Sequence, residues 1–547
     1  MSKKNAIVNT LRVSSFLPCF AAALALSSIP SFAQNAEQSG KPLPTGVILL
    51  PRNVPPTGLQ EVLPAPIPSS ASAARPLIVS PDGKKIKIDL SKPISLQQAV
   101  SIALSTNRSI ALAQEALLSA QGRTQEAKAG FNPTFGATFN YTRLDEGSVG
   151  NIGGASVTFV DPNQLTLGAN FSLPVDIMGL LKAAKDQANF QEAVARLDIN
   201  RARNQAVLDA KSAFYDVLRA KALVAVATET LQNSLDRLDD SQKRYKAGVV
   251  AKFDVLRAQT DVLNGQQGLI QARNQVSQTV ALLNNALGIE INFPLEINDS
   301  GAVETPPNTQ NSPTDENANP PDIRKIDLQY DNLNLGKEYE ALTQEALKTR
   351  PEVLEGDASI LAAKKGLVLA KRTSLPSVSV TAGYSYTPLA AGLAPKTSQA
   401  QIGLSVNFPL FDGGISHAKN TQARAAVATA ETNRRQSVDM VSLDVRSAYL
   451  SLVQARDRVA VSNQALAQAQ EAFRLARVRY NAGVSAQAGI SPLLEVSDAQ
   501  NALTGAENNR VNALYDYNNN RAKLDKAAGR YSYIPSGEGY PKPPRIK

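Results

Sequence analysis

The chain of 547 residues contains no Trp, one Cys and one His. The cysteine, Cys19, falls in a segment expected to be removed, so the mature chain can form no disulfide, thiolate metal site or cysteine nucleophile. The histidine, His417, follows a Gly-Gly pair with no nucleophile motif beside it and reads as a surface residue. No G-x-x-x-x-G-K-[ST] loop is present, so any energy must come from a partner. Lys and Arg number 57 against 48 Asp and Glu, a formal +9. The leader carries three of those positive charges and no acid, leaving 9 − 3 = +6 on the mature chain. Spread over this length, without basic runs interleaved with aromatics, that charge implies no nucleic acid. Enzyme readings are disfavoured, and no catalytic residue, metal or cofactor is assigned.

Lys3, Lys4 and Arg12 precede an apolar stretch from Phe16 to Ile29 that is too short to span a membrane. Ser31-Phe32-Ala33 is a small-x-small cleavage site, so residues 1–33 read as an export signal. Acylation at Cys19 is the rival; Pro18 and the apolar run beyond it argue against that. Residues 34–91 form a Pro-rich arm, with a possible short hairpin around Pro81-Asp82-Gly83.

One segment occurs twice. Arg244-Tyr245-Lys246-Ala247-Gly248-Val249 is followed by Asp254-Val255-Leu256-Arg257-Ala258-Gln259. Arg479-Tyr480-Asn481-Ala482-Gly483-Val484 is followed by Glu495-Val496-Ser497-Asp498-Ala499-Gln500. In each, a long helical pattern stops at a glycine and another begins, as at the tip of a helical hairpin.

The duplication extends further, to residues 92–289 and 339–529, joined by a linker at 290–338 and followed by a tail at 530–547. An internal repeat fixes architecture before any local pattern does. Ser95-Leu96-Gln97-Gln98 is a capping box, and the helix it starts is expected to run to about Ala129. Its counterpart, 243 residues on, runs from Tyr339 to Lys371. Four segments of about ten residues then alternate apolar with small polar residues: Phe135 to Tyr141, Leu165 to Leu173, Val378 to Tyr386 and Ile402 to Phe408. They suit a soluble half-buried sheet or the wall of a membrane barrel, and an export signal without a later apolar helix favours the barrel. Open edges are forbidden in lipid, and four strands cannot close a barrel, so several chains must share one.

Long helices follow. Ala210, Phe214, Val217, Val224, Leu231, Leu238 and Tyr245 step 4, 3, 7, 7, 7, 7, and so do the residues 235 further on, from Val445 to Tyr480. That is a coiled-coil seam on helices about 100 Å long. The return helices carry Val255, Val262, Leu269, Val276 and Leu283, matched by Val496, Leu503, Arg510, Tyr517 and Leu524, where Arg510 breaks the seam. The long helix of each half should be flanked by the short helix on its strand side and by the return helix on its tip side.

These residues resemble the TolC-type outer-membrane efflux family over about 92–530. The resemblance rests on Phe408-Pro409-Leu410-Phe411-Asp412-Gly413-Gly414 at a strand-to-helix turn and on the two tips. The first half departs there, reading Leu173-Pro174-Val175-Asp176-Ile177-Met178-Gly179. The resemblance implies a mainly α fold with membrane β: a homotrimer with a shared 12-strand outer-membrane barrel continuous with an α-helical periplasmic tunnel. It implies a passive exit duct of an efflux or type I secretion system, opened by a periplasmic adaptor bound to an inner-membrane pump. Asp254, Glu495 and Asp498 would ring the periplasmic entrance, while Tyr245, Gly248, Val249, Tyr480, Gly483 and Val484 would serve docking and closure. Clustered acids attract cations; solvated carboxylates at helix starts are the plainer reading. The second tip has six more residues between Tyr and Ala-Gln, within 485–492, and no Arg soon after Gly483. A periplasmic adaptor, with a single hairpin, and a coiled-coil adhesin, without matched tips, are the competing classes.

Overall fold

A computed structural model describes residues 78–79, 85–86, 93–145, 148–160, 162–298, 302–306, 336–389, 397–484 and 492–531. The export signal, the Pro-rich arm to residue 77, most of the linker, the inserted residues 485–491 and the tail beyond 531 lie outside them. The expected arm hairpin is present as the short antiparallel pair β1 (Ile78–Val79) and β2 (Lys85–Ile86).

The elements then run α1 (Leu96–Thr106), α2 (Arg108–Ala129), β3 (Thr134–Arg143), β4 (Ser148–Ile152), β5 (Ala155–Val160) and β6 (Asn163–Val175). They continue with α3 (Leu180–Lys246), α4 (Lys252–Leu287), α5 (Gly336–Thr349), α6 (Pro351–Arg372), β7 (Ser377–Leu389) and β8 (Thr397–Asn407). α7 (Ile415–Ala482) and α8 (Pro492–Ala527) complete the described chain. The long helices α3 and α7 have 67 and 68 residues, and the return helices α4 and α8 have 36 each. The helical packing follows the expected arrangement: α3 is flanked by α2 and α4, and α7 by α6 and α8.

The helix expected from Ser95 to Ala129 is broken, and so is its counterpart. The capping box at Ser95 forms as expected, but α1 stops at Asn107, which is extended at φ −64°, ψ 129°. The counterpart breaks at Arg350, at φ −66°, ψ 127°. At Arg350 the following Pro351, first residue of α6, keeps its predecessor out of the helical region, and both breaks face the exposed carbonyl end of a return helix, which needs donors. Asn107 Nδ2 donates to the Ala286 carbonyl at 3.0 Å, and its Oδ1 accepts from Ser109 N at 2.8 Å to cap α2. Thr106 Oγ1 donates to the Leu287 carbonyl. At the other break, Thr349 Oγ1 donates to the Ala528 carbonyl at 3.3 Å and Arg350 Nη1 to Ala527 O at 3.4 Å. Each break thus clamps the end of a return helix. The main apolar core gathers there, around Ile102, Phe214, Val217, Leu283 and Leu287, with linker residues Leu295 and Ile297 folded in. The seam residue Arg510 points outward, Nε donating to Asn463 Oδ1 at 3.0 Å, and Ala513 is buried instead.

The four expected strands form one antiparallel sheet in the order β3-β6-β7-β8. The register puts directly opposed residues on one face. Phe135, Phe171, Ala382 and Ile402 form one such row, and Gly136, Asn170, Gly383 and Gln401 the row beside it on the other face. One face is therefore apolar and one small and polar. The apolar face is bare in the single chain: Phe135 is 77% exposed and Ile402 87%. The loop expected between the first two strands contains a further hairpin, β4 with β5, turning through Gly153 and Gly154 at positive φ.

Each long helix starts under an aspartate. Asp412 accepts from Gly414 N at 3.0 Å and Ser416 N at 2.8 Å, and Asp176 from Leu181 N at 3.1 Å and Lys182 N at 2.9 Å. The hydrogen bonds from Ser416 hold the Asp412 carboxyl below its usual pKa. The chain reaches these caps through left-handed residues: Gly413 at φ 63°, Gly414 at φ 90° and Gly179 at φ 70°. Gly414 stands in open space, whereas a Cβ on Gly179 would run into the Arg372 guanidinium, which donates to the Gly179 carbonyl at 2.6 Å.

Two expectations follow. Gly414→Ala should cost about 1–2 kcal/mol of stability from left-handed strain alone, and Gly179→Ala more; thermal melts of the detergent-solubilised protein giving equal losses would contradict the Arg372 contact. The second concerns Glu355 on α6, which faces Arg201 at 3.7 Å. Burial, with Asp198 and Glu352 nearby, raises its pKa to about 7 against the pull of Arg201. A raised carboxyl pKa stabilises the fold while protonated, and that contribution is lost as pH rises through about 7. The melting temperature of the wild type relative to Glu355→Gln should therefore fall as pH rises from 4.5 to about 7 and level off above it; a flat difference would mean ordinary ionisation.

Candidate functional site

The two tips end in the same hydrogen-bonded turn. In the first, Gly248 N donates to Tyr245 O at 2.9 Å and Val249 N to Arg244 O at 2.9 Å. In the second, Gly483 N donates to Tyr480 O at 3.1 Å and Val484 N to Arg479 O at 3.0 Å. This pair of bonds closes a helix through a left-handed residue, and both glycines stand near φ +70°, at 75° and 70°. The repeated Arg-Tyr-x-Ala-Gly-Val string encodes that stop.

The side chains differ. Tyr245 is 45% exposed, with Val249 and Phe253 exposed beside it. Tyr480 is 7% exposed: it packs with Ala476, Leu493 and Val496 of its own hairpin, and Arg244 of the first tip lies over its ring. The Arg244 guanidinium sits 4.2 Å from the Tyr480 ring centroid, and its Nη1 donates to the Tyr480 carbonyl at 3.2 Å. Asp240 Oδ2 accepts from Arg244 Nε at 2.9 Å and holds the guanidinium in place. Burial, then the nearby Asp240, holds the Tyr480 phenol above its ordinary pKa, and the cation is attracted to the negative face of its ring. Further from the tip, Ser497 Oγ donates to Asp261 Oδ2 at 3.0 Å, and the Thr230 and Thr504 hydroxyls meet at 3.1 Å. Apart from the Asp240–Arg244 pair within α3, these contacts tie the first hairpin to the second.

The three expected acids part company. Asp254 is half-buried in the first turn of α4. Glu495, in the first turn of α8, is ion-paired with Arg479 of α7. Asp498 is exposed. The arginines that organise the site, Arg244 and Arg479, stand directly before the tyrosines in both motifs; their position was readable, and their partners were not. His417 is exposed. Among the described residues, no group of His, Cys, Asp and Glu could hold a metal ion, and no helix is long and apolar enough to cross a membrane. The arrangement is one of side-chain contacts that join two hairpin tips, one ring covered and the other open.

A family model described as Outer membrane efflux protein matches residues 99–289 and 342–530. The chain is 23% identical over 440 residues to the cation efflux system protein CusC of Escherichia coli O157:H7, covering 79% of this chain and 85% of that one. It is 24% identical over 459 residues to the toluene efflux pump outer membrane protein TtgC of Pseudomonas putida, covering 81% and 84%. Among solved structures, CusC superposes with a TM-score of 0.63 at 18% identity, over 79% of this chain and 92% of that one. VceC of Vibrio cholerae gives 0.60 at 20% identity, over 79% and 96%. On a match that spans both halves, this chain belongs to the outer membrane efflux protein family and is a protein of the outer membrane.

Proposed function

We propose that three copies of this chain, each built from two repeats of one unit, form a passive exit duct through the outer membrane and periplasm. The observation that carries this reading is the open sheet. β3 pairs only with β6 and β8 only with β7 among the described residues, so each chain offers two free edges under a bare apolar face. Hydrocarbon tolerates neither an open edge nor a four-strand barrel. Joining β8 of one chain to β3 of the next, three times over, closes twelve strands with the polar face inward.

The helices offer matching edges. α7 packs on α8, α8 on α3 and α3 on α4, leaving α7 and α4 at the ends of the row. α4 exposes Leu256, Leu263 and Ile270, seven residues apart, and α7 exposes Leu443, Leu450, Val461 and Leu475. An exposed apolar row of heptad spacing on α4, facing exposed apolar residues on α7, suits a seam between neighbouring chains.

The tips would be the gate and the docking surface for a periplasmic adaptor, itself bound to an inner-membrane pump. Tyr245, Gly248 and Val249 on one tip, and Gly483 and Val484 on the other, present that surface. Tyr480 belongs to the latch with Arg244. Glu495 and Asp498, brought together in triplicate, would form a cation-sensitive constriction with Asp254 nearby, Glu495 being shared with Arg479. The relatives' names span a cation and toluene, which fits a duct whose cargo is chosen by its pump. A periplasmic adaptor or an adhesin stalk would leave the one-sided apolar sheet unexplained.

Placing carboxylates in the seam with Leu263→Glu and Ile270→Glu should break the trimer, because buried unpaired charge is costly. Native mass spectrometry from detergent checks this, and an intact trimer in the double variant would remove the proposed seam. Arg244→Ala should loosen the closed tip by about 2 kcal/mol, from the lost ring contact and charged hydrogen bond, and raise single-channel conductance in planar bilayers. Unchanged conductance would deny the latch. Replacing Glu495 and Asp498 by Ala should weaken block by multivalent cations; undiminished block would place the constriction elsewhere.

A further inference from the structure

The two tips share a backbone path and differ in surface. In the first, Val249 and Phe253 are each 69% exposed, with Tyr245 open beside them. In the second, Leu493 and Val496 are buried against Tyr480 and Ala476. Leu493 stands where Lys252 does in the first copy, and Asn481 stands where Lys246 does. The first tip therefore carries two lysines that the second lacks. Lys246 ends α3 and Lys252 opens α4, so the pair brackets the turn, and both are exposed.

The chain itself gives these lysines no partner carboxylate. Among the described residues neither forms an ion pair, and the last two acids of α3 are taken: Asp239 pairs with Lys243 at 2.5 Å and Asp240 with Arg244 at 2.9 Å. Asp254 is half-buried. Lys252 also stands against the dipole of its own helix, whose first turn favours anions, and Ala251 before it supplies no side-chain cap. Local stability does not explain a cation there.

A sister chain does not supply the missing acids. α7, the helix at the other end of the row, nears its tip with Arg474, Arg477 and Arg479, while Glu471 is paired with Arg474 and Glu495 with Arg479. Outer-membrane headgroups do not reach the lysines either, since the length of α3, about 100 Å, separates the tip from the sheet. An exposed apolar patch rimmed by charge marks an interaction surface, and here the rim is cationic.

We infer that the first tip takes a protein partner whose docking end carries carboxylates around an apolar residue, the acids on Lys246 and Lys252 and the apolar residue against Val249 and Phe253. The inference rests on the reading of the tips as docking surfaces, and it gives the partner a charge and assigns that charge to one of the two tips. Complementary charge of this kind steers encounter and fixes register.

The probe is a synthetic helical hairpin peptide with leucine at its turn and glutamates on either side, and a version with lysines is its reverse. Fluorescence anisotropy reads its binding to the detergent-solubilised full chain. The acidic hairpin should bind saturably and weaken as salt rises. The double variant Lys246→Glu with Lys252→Glu should lose at least about tenfold in affinity and should bind the lysine hairpin in its place. Phe253→Ser should weaken the acidic hairpin without creating affinity for the reverse one. Lys128→Glu, at the strand end of α2, should change nothing. Both tip lysines are exposed, and glutamate suits the first turn of α4, so the double variant should melt no lower than the wild type. Equal affinity of the two hairpins for the wild type, or unchanged affinity in the double variant, would overturn the acidic partner and leave the tips as docking surfaces of another chemistry. Absence of saturable binding by the acidic hairpin would overturn the inference outright. Displacement of the hairpin by phosphatidylglycerol vesicles, lost in the double variant, would assign the lysines to a membrane surface instead. A monomer in native mass spectrometry would count against the duct and not against this charge assignment.

Discussion

Backbone groups in hydrocarbon must find partners within protein, and that requirement governs this molecule. A four-strand sheet with one apolar face can rest in lipid only if its edges are covered. The register supplies the apolar face, since Phe135, Phe171, Ala382 and Ile402 fall in one row across all four strands. In the proposed duct the edges at β3 and β8 are left for sister chains. Assembly would then precede function, because a single chain has no closed wall through which anything could pass.

The same need for partners acts at the waist. Return helices end in carbonyls that point at the short helices beside them. The chain satisfies them by interrupting those short helices at Asn107 and Arg350, where freed side chains reach across. Arg350 also pairs with Glu352 at 2.8 Å and with Asp444 at 3.4 Å, so a nearly buried cation ties α6 to α7 as well as to the end of α8. With the caps at Asp176 and Asp412, each long helix is held at its strand end and beside its waist. The tips are held more lightly, by a ring contact and a few hydrogen bonds. A rod stiff at one end and lightly latched at the other suits a gate placed at the second.

Much of this was legible in the sequence. The length of α3, its stop before Gly248, and the alternation in the four strands follow from residue spacing alone. So does the twofold pattern of tips, because Arg-Tyr-x-Ala-Gly-Val closes a helix in one way. The break at Arg350 was legible and missed, because Pro351 disfavours helical backbone at the residue before it; the break at Asn107 was not, since it sits in a continuous helical pattern and the carbonyl it reaches lies 179 residues away. The β4–β5 hairpin was hidden in a Gly-rich loop. The inequality of Tyr245 and Tyr480 was hidden too, because identical local motifs say nothing about which neighbour lies above them.

The covering of Tyr480 by Arg244 has a consequence for symmetry. Two hairpins with nearly the same chain path present unlike ends: one shows an open phenol ring, the other a guanidinium laid over its ring. A trimer would therefore offer six knobs in two alternating chemical kinds, a threefold crown rather than a sixfold one. Six identical clients arriving at such a crown would sit in two sorts of seat, and the strength of their grip would alternate around the rim.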